Sequence, residues 1–253
     1  GDMVAGQKQP ALDSGKLDNM WDAFNREAAD PIRAAGIPFA LTPGNHDGSG
    51  FPDFALERKH FEKQWIDRHD GLEILPGSEW PWRYAARVGS TLLLSFDGTM
   101  PGRLAQSEFG FIATMLERYR DDAEAVIVVS HLPMWPLSRG REREILDDPE
   151  LLSLLHQHNV TVYVSGHHHA FYAGRDEGDM IHLAVGALGG NARAYSMTGE
   201  QNAHSFAVME IDGKNVRIRS LAAPGFTSSL DLHSLPASVD GELGKLTRID
   251  LQP

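Results

Sequence analysis

The sequence predicts an α/β fold with at least one largely parallel sheet, finished by antiparallel strands. Three observations predict it. Segments of helical and strand period alternate as far as residue 166, EAVIVVSH is apolar on both faces as in a sheet covered on both sides, and the pattern beyond becomes mostly strand.

Taken in order, the opening GDMVAGQKQP is loop-like. In LDNMWDAFNREAADPIRAAG, Leu17, Met20, Trp21, Phe24, Ala28 and Ile32 recur at helical spacing, and Gly36 closes the helix. IPFALTP reads as a short buried strand, and DFALERKHFEKQWIDRH as a second amphipathic helix with Phe54, Phe61, Trp65 and Ile66 on its apolar side. WRYAARVGSTLLLSFD gives two strands around Gly89 and Ser90, a hairpin signal. SEFGFIATMLERYR is a helix with a capping start at Ser107, EAVIVVSH a strand, and SRGREREILDDPE a charged connection into the helix LLSLLHQHN. VTVYVSG, MIHLAVGA, SFAVMEID and NVRIRSLA follow as strands, the last two joined through Asp212 and Gly213. These elements form one domain over residues 1–223, with residues 224–253 expected to pack across it as a weakly periodic tail. The aromatic pairs Trp21 with Phe24 and Phe61 with Trp65 are expected in the core.

A chain of 253 residues is long enough to bury a substantial core, and 42% hydrophobic with 23% charged residues is an ordinary globular composition. The net charge of -12 argues against extended binding to duplex nucleic acid, which needs clustered Lys and Arg, but leaves room for a small phosphorylated ligand at a local cationic site. Without cysteine there are no disulfides and no thiolate ligands, so any metal must be held by His, Asp, Glu, Asn or water. No apolar run approaches the ~18 residues of a transmembrane helix.

Four short motifs stand at the chain start or at the ends of strand-like segments: GD at Gly1–Asp2, GNHD at Gly44–Asp47, SHLP at Ser130–Pro133 and GHHH at Gly166–His169. Ligand sites in open α/β sheets gather at the carboxyl ends of strands, and three of these motifs follow a strand directly. Imidazoles, a carboxylate and an amide oxygen suit divalent or trivalent transition metals. A carboxylate has two oxygens and can bridge two cations, whereas a neutral imidazole serves one; Asp2 is therefore the candidate bridge. Singly, GNHD also reads as a turn and GHHH as a polar loop, while His60, His69, His156 and His158 read as solvated or core-edge residues. The combination, in this order and at strand ends, is what points to a metal site.

These blocks resemble the calcineurin-like metallophosphoesterases, a family that includes purple acid phosphatases and bacterial cyclic-nucleotide phosphodiesterases. Its pattern runs D-x-H, G-D, G-N-H-D/E, a lone His after a strand, and G-H-x-H; this sequence matches the last four, from Gly1 to His169. The resemblance implies a sandwich of two β-sheets flanked by helices, with an N-terminal βα segment missing, and a centre of two metal ions (Mn, Fe, Zn, Co or Ni) sharing a bridging hydroxide. It implies Asp2 as the bridging ligand, Asn45, His131 and His167 as ligands of one ion, His169 as a ligand of the other, and His46 as a catalytic residue oriented by Asp47. His168 holds the variable position and is expected to face substrate or solvent. A D-x-H stands at Asp231–His233, which invites a permuted arrangement. The nearest tyrosine to the G-D block, Tyr84, is remote in sequence, which argues against tyrosinate-ligated iron.

The implied activity is hydrolysis of a small phosphate ester, monoester or diester; the alternative is a catalytically inactive metal-binding or interaction domain of the same fold. Arg139, with Arg141 and Arg143 in the same loop, and Asn191, with Arg193, are the candidate substrate contacts. Because the chain opens on the family's second block, a signal peptide cannot be judged, and the compartment stays open between cytoplasmic and exported.

Overall fold

The computed structural model describes residues 1–69, 71–213 and 215–251. Among them, nine strands form one mixed sheet and three a smaller antiparallel one. The centre of the large sheet is parallel: β3 (Thr91–Ser95), β4 (Ala125–Val129), β5 (Val162–Ser165) and β7 (Ile181–Ala184) lie side by side. On one flank β3 pairs antiparallel with β2 (Tyr84–Val88) and that with β1 (Glu73–Ile74); on the other β7 pairs with β6 (Tyr172–Arg175), then β12 (Gly244–Arg248) and β11 (Ser238–Gly241). The small sheet comprises β8 (Ser205–Asp212), β9 (Asn215–Ala222) and β10 (Ser228–Ser229).

The parallel centre follows from composition. β4, AVIVV, buries four of its five side chains, and apolar residues on both faces are stable only where helices and loops cover both. Helix α5 (Gln106–Tyr119) packs Phe111, Ile112, Met115 and Leu116 into this core; helix α6 (Pro149–Gln157) adds Leu151 and Leu155. The predicted hairpin is present, with Gly89 in the left-handed conformation between β2 and β3.

The helices before β1 belong to a separate aromatic cluster. Helix α1 (Ser14–Phe24) continues through a π-helical segment, Asn25–Ala29, into α2 (Asp30–Ala34). A π turn holds more residues than an α turn and rotates the apolar stripe, so Ala29 is buried where α-helical spacing favours Ala28. Trp21 and Phe24 meet Phe61 and Trp65 of helix α4 (Ala55–Trp65), with Phe39 stacked on Trp65 at 5.5 Å. Val4 packs into the same cluster, which anchors the opening loop.

Local expectations are corrected at several points. Residues 37–43 are not a strand: Pro38 and Pro43 lack N–H groups, and the Leu41 N–H and C=O are both paired with the buried Tyr84 hydroxyl, at 2.8 and 2.6 Å. Ser107 does not cap α5, whose capping position is Ala105 without a side-chain bond. Ile66, at the end of α4, is 44% exposed. The strand β6 had no sequence prediction, because only Tyr172 and Ala173 in YAGR are apolar. Within the C-terminal segment, residues 238–248 contribute β11 and β12 to the large sheet.

Candidate metal centre

The four parallel strands end on one edge of the sheet, and the motif loops converge there. His131 lies just beyond β4, and His167, His168 and His169 just beyond β5. The two loops are tied by Ser130 N–H to Val164 C=O (3.0 Å) and Gly166 N–H to His131 C=O (2.9 Å). GNHD forms a short helical turn, α3 (Asn45–Gly48), against the opening loop. That approach requires a glycine at position 44: a Cβ there would stand 2.1 Å from the Asp2 nitrogen. Asp47 fastens the two loops, its carboxylate accepting from Met3 N–H at 2.7 Å and Gly44 N–H at 2.6 Å.

Four of the predicted ligands meet. Asn45 Oδ1 lies 2.7 Å from His131 Nε2 and 2.9 Å from His167 Nδ1, and those nitrogens are 3.1 Å apart. Asp2 Oδ2 is 3.3 Å from His131 Nε2, while Asp2 Oδ1 accepts the His46 N–H at 2.9 Å. Asp2, His131 and His167 form a group whose ligand atoms lie within 4.8 Å of one another. Asp2, His167 and His169 all have positive φ, a sparsely populated conformation that gathers at functional sites.

The chemistry of this donor set fits a cation. His167 Nε2 is 2.7 Å from the Glu144 carboxylate, which can only accept, and 2.8 Å from Arg141 Nη1, which can only donate; in the tautomer with its proton on Nε2 toward Glu144, Nδ1 presents a bare lone pair. That lone pair points at the Asn45 amide oxygen, another acceptor. Two acceptors at this distance with no proton between them repel, and a metal ion held by these residues would relieve that repulsion. Burial, reinforced by His131 and Arg141, pushes the His167 pKa down to about 2, so the ring is neutral as a ligand must be. Burial alone would raise the Asp2 pKa, but His131, by charge and hydrogen bond, and His46 outweigh it and hold the carboxyl well below the usual range. Burial raises Asp47 to about 7, with the Asp2 charge contributing in the same direction.

Other predicted residues depart from their expected places. His46 is held through Nδ1 by the Gly6 carbonyl at 2.6 Å; Asp47 serves backbone N–H groups and is not the carboxylate on its ring. His168 faces neither substrate nor solvent. It is fully buried, with Nδ1 accepting from Leu137 and Ser138 N–H at 3.2 and 3.3 Å and Nε2 donating to the Glu144 carbonyl at 3.1 Å. Burial depresses its pKa to about 4, which keeps that neutral tautomer. It thereby staples the charged loop after His131 onto the site.

His169 turns outward to the Asn191 carbonyl, 2.8 Å from Nδ1, and is not in the ligand cluster among the described residues. Asn191 therefore meets the site through its backbone rather than its amide. The exposed Arg139 guanidinium lies over Gly199; it is Arg141 that reaches the cluster, its Nη1 2.8 Å from His167 Nε2 and paired with Glu144. Asp231 caps its own turn through the His233 N–H at 2.9 Å, so this D-x-H is a local structural device.

Two contributors were missed from sequence. Glu144 sits in a charged run that resembles a solvated loop, and Gln7, in the loop after Asp2, accepts a hydrogen bond from Asn45 Nδ2. The only sequence signal for either is proximity to a motif.

The sequence profile of the calcineurin-like phosphoesterase family matches residues 1–171, and the chain belongs to that family. The family is one of metal-dependent phosphoesterases. In structure the chain is similar to purple acid phosphatase PPD1 from yellow lupin (Lupinus luteus) seeds, with a TM-score of 0.63 at 15% identity, over 82% of this chain and 42% of the lupin protein. It is also similar to a dimetal phosphatase from Danio rerio, with a TM-score of 0.50 at 14% identity, over 85% of this chain and 77% of that one. The chain thus spans less than half the length of the lupin protein. No curated protein matches the sequence. Among the described residues, no helix is long and apolar enough to cross a membrane.

Proposed function

We propose that this chain hydrolyses a small phosphate ester, a monoester or a diester, at a metal centre built on Asp2, Asn45, His131 and His167. The observation that carries the reading is the convergence of the Asn45 amide oxygen and two imidazole nitrogens within 3.1 Å of one another, beside the Asp2 carboxylate. Divalent or trivalent transition metal ions bound there supply Lewis acidity toward the phosphoryl oxygens and lower the pKa of a bound water. Asp2 is the residue suited to serve two ions, since its second oxygen rests only on the His46 N–H. His169 is the remaining ligand proposed for a second ion, on leaving the Asn191 carbonyl.

His46 is the proposed catalytic residue. With Nδ1–H donated to the Gly6 carbonyl, its Nε2 is the nitrogen left to contact a phosphoryl oxygen or to handle the leaving group's proton. Asp47 contributes by locking the GNHD turn to the Asp2 loop. Arg141 and Arg193 are proposed to provide the positive potential that draws a phosphate toward the site of an otherwise acidic protein.

Elemental analysis after metal loading, with hydrolysis of a chromogenic monoester and diester, tests the reading. His46→Ala is expected to keep its metal and lose turnover, while Asp2→Ala loses both; equal metal loss in the two variants would sink this division of roles. A second reading, a metal-binding domain of the same fold without catalysis, draws on the outward turn of His169, which leaves one tight ligand cluster. Metal bound at a single ion per chain with no turnover of either ester would select it.

A further inference from the structure

The roles of Asn45 and His46 depend on the orientation of small polar groups, and one side chain governs the amide. Asn45 can serve a metal only through Oδ1; rotated by half a turn it presents an NH2 group, whose nitrogen lone pair is delocalised and unavailable. Its Nδ2 donates to Gln7 Oε1, and this bond sends Oδ1 toward His131 and His167. Gln7 is itself fixed at three points. Its Nε2 donates to the Oγ of the fully buried Ser49 at 3.3 Å, with Oε1 on the side of Asn45. Its N–H donates to the Glu57 carboxylate at 3.3 Å, from a glutamate only 2% exposed on α4. Its backbone has φ +54, a conformation a glutamine seldom adopts without such constraints.

We infer that Gln7 is the positioning residue of the metal centre: it selects the Asn45 amide rotamer that presents an oxygen to the ion, and so sets metal affinity without touching the metal. The inference rests on the metal-centre reading above and adds to it a residue outside the ligand set. A packing role alone would be met by any side chain of similar volume, whereas an orienting role needs an acceptor opposite Nδ2.

Replacing Asn45 with a residue that has oxygen on both branches removes the need for orientation, and that is the test. Dissociation constants for Mn2+ and Zn2+ are measured by chelator competition on the metal-stripped full chain, wild type, Gln7→Leu, Asn45→Asp and the double variant. Melting temperatures in excess chelator report on folding separately. Gln7→Leu is expected to weaken metal binding about tenfold or more in the wild-type background, the range of lost outer contacts to metal ligands, and by less than about threefold in the Asn45→Asp background. Equal losses in both backgrounds, or no loss in the first, overturn the inference. A wild type that binds neither ion overturns the metal-centre reading as well, and is distinguished because the failure precedes any change at Gln7.

Discussion

Glu144→Ala removes the carboxylate behind His167 and should weaken metal binding about tenfold while leaving the fold intact. The wild-type contact is a 2.7 Å charge-assisted hydrogen bond from His167 Nε2–H, a class worth ~1.5–3 kcal/mol. The Glu144 side chain is 40% exposed, so solvent screening places the contact at the low end, about 1.5 kcal/mol, close to one decade in affinity. Removal also leaves the Arg141 guanidinium 2.8 Å from Nε2 without its carboxylate, a positive charge that draws electron density away from the liganding nitrogen. Glu144→Gln retains a neutral acceptor and should recover roughly half of that free energy, a loss of about threefold. Chelator competition on metal-stripped protein measures both, with melting curves in chelator as the folding control. An alanine variant within about twofold of wild type, or a glutamine variant as weak as alanine, would refute the claim that the carboxylate tunes His167.

Two further predictions probe other parts of the molecule. Away from the metal centre, Asp176 Oδ2 joins His156 and the buried His182, each Nε2 at 2.8 Å. Burial holds His182 below its ordinary 6.5 despite Asp176, so the unfolded chain takes up the proton first. The contribution of His182 is therefore present above pH 6.5 and lost as pH falls from there through its folded value. The Asp176 carboxyl, lowered by His182 and His156 against burial, adds a loss only below 3.8. Melting temperature should thus decline from about pH 6.5 downward, and less steeply in His182→Leu; identical slopes would contradict the assignment. On the substrate side, the Arg193 Nε is buried without a partner, and burial together with Arg141 lowers the guanidinium pKa. Arg193→Met should raise KM for a chromogenic phosphate ester about tenfold with metal content unchanged, and an unaltered KM would remove it from the substrate's path.

Part of this site was legible because two of its candidate ligands, His131 and His167, lie just beyond strands, where an apolar run stops. β4 and β5 announce themselves by composition, so His131 and His167 could be placed on one sheet edge before any coordinate. Asn45 and Asp2 required only that their loops approach, and the glycines beside them permit it. What sequence could not reveal is the side of each backbone from which a side chain departs. Arg139 and Arg141 are two residues apart in a loop without periodicity; in the structure, with the loop bonded to His168 and to Ala194, it is Arg141 that reaches His167. The segment 37–43 has a strand's composition, yet a strand also needs neighbours with free N–H and C=O groups; here Tyr84 supplies one hydroxyl in their place.

The three consecutive histidines show how backbone conformation, rather than residue type, assigns roles. His167 and His169 have φ of 59° and 52°, and between them His168 turns the chain inward. Left-handed conformations at both flanks reverse the direction in which successive side chains point, so three identical rings enter three environments. His167 is neutral and faces the ligand cluster; His168 is neutral because burial depresses its pKa, and its Nδ1 accepts from two backbone N–H groups; His169 is half-buried on a carbonyl. Protonation of His168 would set a ring N–H against those two donors, in the loop that bears Arg141 and Glu144, both of which contact His167. The middle histidine, outside the candidate ligand set, thus supports the candidate metal centre from behind, through its bonds to the loop that bears Arg141 and Glu144.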